Sequence, residues 1–152
     1  MKFSIVIPCY NEREDVRLAI ESALAQDWAE KQIIVVDDSI DATREIVDGY
    51  VDRGVRVIRP AVRRGCCEAR NEGLRAASGD VIVFLNSDVH PATDLLRHLD
   101  KLYAQGADCV VLRSVVSNVD AAAARHIQAG AEMMYSRKTN DLSWSEAFSC
   151  RR

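Results

Sequence analysis

Five short apolar runs punctuate the chain: Phe3–Ile7, Ile33–Val36, Val55–Ile58, Val81–Leu85 and Cys109–Leu112. They are rich in Val and Ile and mostly continuous, the pattern of strands buried on both faces. Between them, apolar positions recur at helical spacing. Val16, Ile20, Ala23 and Leu24 share one face of a first helix, for which Asn11 is the expected N-cap, with Glu14 completing a capping box. Asp41 is the expected N-cap of a second helix striped by Ile46, Val47, Tyr50 and Val51. A third helix runs from about Cys67 to Ala77 and ends at Ser78-Gly79. A fourth starts near Thr93, presents Leu95, Leu96, Leu99, Leu102 and Tyr103, and stops at Gly106. Strand starts lie 22 to 30 residues apart, the length of a βαβ unit. The alternation predicts an α/β domain: a mainly parallel sheet, helices on both faces, and right-handed crossovers.

The last forty residues read differently. Ala121–Tyr135 has helical character, and Ser136–Arg152 is polar apart from Trp144 and Phe148. A short strand is expected around Glu146–Cys150, and packing is the expected role of the two aromatics.

Composition narrows the class. Apolar residues make up 48% and charged residues 28% of 152, which excludes a disordered tail, a fibre and a coiled coil. The net charge of −3 argues against a nucleic-acid partner. No apolar run approaches the ~18 residues of a membrane-spanning helix. The N-terminus reads as a first strand and not as a signal peptide. Five cysteines, Cys9, Cys66, Cys67, Cys109 and Cys150, form no CxxC pair and suit a reduced, cytoplasmic chain.

In an open α/β sheet ligands bind beyond the carboxyl ends of the strands. The residues after each run are therefore the candidates. They are Pro8-Cys9-Tyr10-Asn11-Glu12, then Asp37-Asp38-Ser39-Ile40-Asp41, then Arg59-Pro60-Ala61-Val62-Arg63-Arg64-Gly65, then Asn86-Ser87-Asp88, and finally Arg113 and Ser114. Acids, arginines and an aromatic thus meet along one edge. Carboxylates beside basic groups suit a metal-bridged phosphate ligand, because Mg²⁺ takes one or two carboxylates plus phosphate oxygens and arginine matches phosphate as a fork. Asp37 and Asp38 are adjacent like charges, unhelpful in a plain turn, and point to a site. Asp88 suits a turn or a site equally, and Arg63 with Arg64 suits a solvated pair or a ligand contact. Neither GxxxxGK[ST] nor GxGxxG is present, nor are GxSxG or HExxH. His90, His98 and His126 are scattered and are not read as metal ligands.

Four segments together resemble the signatures of family 2 glycosyltransferases with the GT-A fold, in order and at family-like spacing over residues 3–91. They are Ser4–Glu12, Ile34–Thr43, Gly65 with Ala69–Leu74, and Ala77–Asp88. Ser145–Arg152 resembles the start of a later family segment. The resemblance implies a Rossmann-like GT-A nucleotide-diphospho-sugar transferase fold. Residues 1–115 would form the nucleotide-sugar-binding part and 116–152 the start of an acceptor-side region, C-terminally incomplete. It implies transfer of a sugar from a UDP- or GDP-sugar to an acceptor hydroxyl (of a saccharide, lipid or protein), with inversion and with Mn²⁺ or Mg²⁺. By position, Pro8 and Tyr10 would line the base pocket, Asp37 would bond the base with Asp38 assisting, and Glu12 and Ser87 would join the nucleotide site. Arg70, or Arg63 and Arg64, would lie near ribose or phosphates, and Asp88 would hold the metal.

Two departures stand out. The family's Asp-x-Asp is here Asn86-Ser87-Asp88, with an amide in place of the first carboxylate. The family's catalytic base is an acid further along than this chain reaches. The catalytic residue is therefore unknown, and neither Glu132 nor Glu146 is matched to it. These departures motivate the rival reading, a non-catalytic nucleotide-binding module or an inactive truncated transferase. A receiver-type regulator would need its acid pair just after the first strand, where Pro8-Cys9-Tyr10 stands. An apolar face left by a missing acceptor-side half would favour a homodimer, and a membrane-bound acceptor would draw the chain to the membrane surface.

Overall fold

The computed structural model describes residues 1–63, 65–112 and 147–152. Six strands form one sheet: β1 (Phe3–Cys9), β2 (Lys31–Asp37), β3 (Val55–Ile58), β4 (Val81–Leu85), β5 (Cys109–Val111) and β6 (Ala147–Arg151). Their spatial order is β3-β2-β1-β4-β6-β5. The β1–β2, β2–β3 and β1–β4 pairs are parallel, as the alternating pattern requires. Helices α1 (Arg13–Leu24), α2 (Thr43–Asp48), α3 (Cys66–Ala76) and α4 (Leu95–Ala104) fill the connections.

Alternation along the strands divides the core in two. Ile5, Ile7, Ile33, Val35, Val81 and Val83 face one side, where Val16 and Ile20 of α1, Val47 of α2, and Leu96, Leu99 and Tyr103 of α4 cover them. Val6, Ile34, Val36, Ile82 and Phe84 face the other, where Ala69 of α3 packs. Helix α3 sits very close to the sheet. A Cβ built on Gly73 would stand 2.2 Å from Val6 Cγ1, so only glycine fits there.

The C-terminal strand changes the topology. β6 runs antiparallel between β4 and β5, so the strand expected to be fifth and parallel is displaced one place outward. Phe148 stacks on Phe84 at 4.8 Å between centroids, and the Tyr103 hydroxyl donates to Ser149 Oγ at 2.9 Å. Packing is thus the observed role of Phe148, as expected. The predicted helix over Ala121–Tyr135, together with Arg113, Ser114, Glu132, Trp144 and Glu146, lies outside the described residues, as does the boundary at 115/116.

The first helix start departs from the sequence expectation. Asn11 is not the N-cap; Glu12 occupies that position and no side chain caps the helix. Asn11 adopts φ 57°, a left-handed conformation that Asn tolerates better than most residues. Its Oδ1 accepts from the Ile40 N–H at 3.0 Å, and its own N–H donates to Ser39 Oγ at 2.9 Å. The residue is spent tying the β1–α1 turn to the β2–α2 turn. Asp41 acts as expected: its Oδ1 accepts from the Thr43 N–H at 3.0 Å at the start of α2.

Candidate functional site

The carboxyl ends of β1, β2 and β4 open into a cavity of about 280 Å³ on the α3 side of the sheet. The strand alternation puts it there. Pro8 and Tyr10 continue the parity of Val6, Asp38 that of Ile34 and Val36, and Asn86 and Asp88 that of Ile82 and Phe84. All five line the cavity, together with Glu12, Arg63, Arg70 and Ser87. Eight of the ten residues to which the resemblance gave a nucleotide or metal role therefore converge. Arg64 lies outside the described residues.

Asp37 is the exception. It shares the parity of Ile33 and Val35, points beneath α2, and its side chain is 0% exposed. Its Oδ2 accepts from Arg59 Nε at 3.0 Å; its Oδ1 accepts from the Ser39 N–H at 3.0 Å and, weakly, from the Cys9 thiol at 3.6 Å. Arg59 also reaches Asp48 at 2.8 Å, bolting the end of β3 to β2 and α2. Asp37 does not line the cavity. The carboxylate on the wall is Asp38, whose N–H is held by the Cys9 carbonyl at 3.1 Å.

The β4 end is clamped from below. Buried Gln26 donates to the Ala92 carbonyl at 2.7 Å and accepts from the Leu96 N–H at 3.2 Å, while the Asp27 N–H bonds the Thr93 carbonyl at 2.8 Å. These bonds fix the segment that follows Asp88 against the end of α1. On the opposite wall, Gly65 at φ 83° turns the chain into α3, and Gly65 and Cys66 line the cavity. The positive end of that helix therefore faces it, a setting that favours an anion.

The cavity holds three carboxylates, Glu12, Asp38 and Asp88, and two guanidinium groups, Arg63 and Arg70. Arg63 lies over the Tyr10 ring, 3.7 Å from the guanidinium carbon to the centroid. Arg70 Nη2 donates to Asn86 Oδ1 at 2.7 Å. Burial, then the negative charges of Asp15 and Asp88, push the Glu12 carboxyl above its usual range. Burial and the neighbouring Asp37 push the Cys9 thiol up strongly, so Cys9 behaves as a small apolar residue. Among the described residues no group of three or more His, Cys, Asp or Glu could hold a metal by itself. What is present, oxygen donors beside room for a ligand, fits a hard cation completed by phosphate oxygens.

Sequence reasoning did not single out Cys66 or Ala69 as wall residues. The available signal was their position in the first turn of α3, directly after a loop carrying arginine.

The strand order and the cavity at the carboxyl edge of the sheet are those of an open α/β ligand-binding fold. The model of the family described as Glycosyl transferase family 2 matches residues 4–151, and the chain belongs to that family. It is 38% identical over 118 residues to the succinoglycan biosynthesis protein ExoO of Rhizobium meliloti (strain 1021), covering 77% of this chain and 33% of that protein. It is 37% identical over 86 residues to an Escherichia coli protein named UDP-Glc:alpha-D-GlcNAc-diphosphoundecaprenol beta-1,3-glucosyltransferase WfgD, covering 56% and 34%. Among solved structures, S. aureus TarS 1-349 in complex with UDP-GlcNAc superposes with a TM-score of 0.68 at 28% identity, over 73% of this chain and 34% of that one. The mannosyltransferase PcManGT from Pyrobaculum calidifontis, in complex with GDP-Man and Mn²⁺, shares the fold with a TM-score of 0.73 at 21% identity, over 99% and 44%. The chain spans about a third of the length of these two curated relatives.

Proposed function

We propose that this chain carries the donor site of an inverting glycosyltransferase, which binds a UDP- or GDP-sugar and passes the sugar to an acceptor hydroxyl of a saccharide, lipid or protein. One observation carries the reading. An aromatic face, a carboxylate, two arginines with no carboxylate partner among the described residues and a terminal Asp converge on one cavity at the carboxyl edge of the sheet. The relatives named for UDP-linked transfer and the neighbours solved with UDP-GlcNAc or GDP-Man support it.

Each group has a distinct task. Pro8 and Tyr10 offer the apolar and π surface for the base. Asp38, at the wall, accepts from a ring N–H, a task that Asp37 could take only by leaving Arg59. Glu12 and Ser87 bound the ribose and phosphate side. Asp88 would hold Mn²⁺ or Mg²⁺ with phosphate oxygens, and Glu12 lies near enough to share its field. The ion's positive charge would stabilise the departing diphosphate. Arg63 and Arg70 add fixed positive charge to the same end. The five free thiols suit a reducing compartment such as the cytoplasm. No helix among the described residues is long and apolar enough to cross a membrane.

Calorimetric titration with UDP and GDP tests the reading. One of the two should bind stoichiometrically, and Asp38→Ala should weaken it by about tenfold or more, the worth of a charge-assisted hydrogen bond to a buried donor. Absence of binding by both nucleotides would overturn it.

A further inference from the structure

The charge pattern around Asn86 carries a further step, which rests on the donor-site reading above. Away from the cavity most described arginines are matched with carboxylates, among them Arg13 with Asp41, Arg53 with Glu21, Arg59 with Asp37 and Asp48, and Arg75 with Glu68 and Glu72; exposed Arg56 instead donates to the Ala76 carbonyl. Arg70 makes no ion pair among the described residues. Its Nη2 donates to the neutral Asn86, and its Nε is buried with no hydrogen-bond partner among those residues. A guanidinium has donors only. Asn86 must therefore turn its oxygen toward Arg70, which leaves its Nδ2–H₂ as a second donor group in the cavity wall. The amide in place of a carboxylate has two effects. It keeps the positive charge of Arg70 uncancelled, and it replaces an acceptor by a donor.

We propose that Arg70 and Asn86 together form a cationic cradle for the donor's diphosphate, so that nucleotide binding draws only part of its charge compensation from a divalent cation. Were residue 86 an aspartate, it would neutralise Arg70. The diphosphate would then face Glu12, Asp38 and Asp88 with one fewer positive charge, and a metal ion would be obligatory. With asparagine there, the Arg70 fork is available for phosphate oxygens, which it matches in geometry as well as charge. A cation at Asp88 adds to this attraction instead of supplying all of it.

The experiment is calorimetric titration of the unmodified chain, Asn86→Asp and Arg70→Met with UDP and with GDP, each in EDTA and in Mn²⁺. The unmodified chain should bind a nucleotide in EDTA, and Mn²⁺ should tighten it by less than about tenfold. Asn86→Asp, nearly isosteric and so not a folding risk, should weaken binding in EDTA by about tenfold or more and raise the dependence on Mn²⁺. Arg70→Met should show the same loss in EDTA, with its fold checked by circular dichroism. Mn²⁺ alone, followed by the loss of its free electron paramagnetic resonance signal, should bind Asn86→Asp more tightly than the unmodified chain. Nucleotide binding that requires Mn²⁺ in the unmodified chain, or that survives unchanged in EDTA in both variants, overturns the cradle while leaving the donor site standing. No nucleotide binding under any condition removes the donor site itself, and the cradle with it.

Discussion

Replacing Arg59 by alanine removes the only partner that Asp37 Oδ2 has among the described residues. Asp37 is fully buried, and its remaining contacts are the Ser39 N–H at 3.0 Å and a weak thiol contact at 3.6 Å, both to Oδ1. Breaking a fully buried ion pair costs about 3–5 kcal/mol, because one charge is left without compensation. The Arg59 side chain is 30% exposed, so water follows it into the gap and the expected cost falls to about 2–3 kcal/mol. The lost Asp48 contact adds little, since Asp48 is 55% exposed. For a chain of this size the melting temperature should drop by about 5–10 °C. The double variant Asp37→Asn/Arg59→Met removes both charges together. It should recover most of the loss, a coupling of more than about 1 kcal/mol. Urea denaturation of the four species reads this directly. A loss below about 0.5 kcal/mol for Arg59→Ala, the size of an ordinary surface substitution, would refute the claim that Asp37 is a structural anchor. It would also return Asp37 to the list of direct base contacts.

Other consequences can be checked separately. Gly73→Ala gains about 1 kcal/mol of helix propensity but drives a methyl into the stiff, buried Val6 side chain, at about 1–3 kcal/mol. The chain should lose stability to urea, and the sign should reverse in a Val6→Ala background. Thiol titration with a coloured disulfide reagent should show Cys66, Cys67 and Cys109 reacting fast and Cys9 silent until denaturant is added. Bound nucleotide should slow Cys66, which lines the cavity, and leave Cys109 unchanged. Hydrogen bonds from Thr43, then the Arg13 guanidinium, hold the Asp41 carboxyl down at about 2. The stabilising effect of its charge is therefore complete above its ordinary value near 3.8 and is lost as pH falls from there toward 2. Asp41→Asn should be less stable than the unmodified chain at neutral pH and equal to it near pH 2.

The parallel half of the sheet was legible because each of its strands is a continuous Val/Ile run with a helix-period segment after it, so local pattern and topology agree. The place of β6 was not. Ala147–Arg151 pairs with β4, more than sixty residues earlier, through Phe148 on Phe84 and Ser149 under Tyr103. No local period encodes such a partner. The helix start failed for a related reason: Asn11 has the side chain of a cap, but its oxygen is drawn off to Ile40 in another loop. At the site, residue types at strand ends were enough to gather seven of the eight predicted wall residues, Arg70 coming from the family resemblance. They did not separate Asp37 from Asp38, although alternation counted from Ile33 would have done so. The pairing of Arg70 with Asn86 depends on α3 lying close against β1 and β4, a distance that Gly73 permits and that spacing alone does not reveal.

The most direct test of the central claim is a nuclear magnetic resonance titration of the ¹⁵N-labelled chain with UDP and with GDP in Mg²⁺. The backbone signals of Tyr10, Asp38, Cys66, Arg70, Ser87 and Asp88 should move together and saturate with one nucleotide, while those of Ser78–Val81 at the opposite edge of the sheet stay in place. Shifts confined to that opposite edge, or none with either nucleotide, would contradict the account.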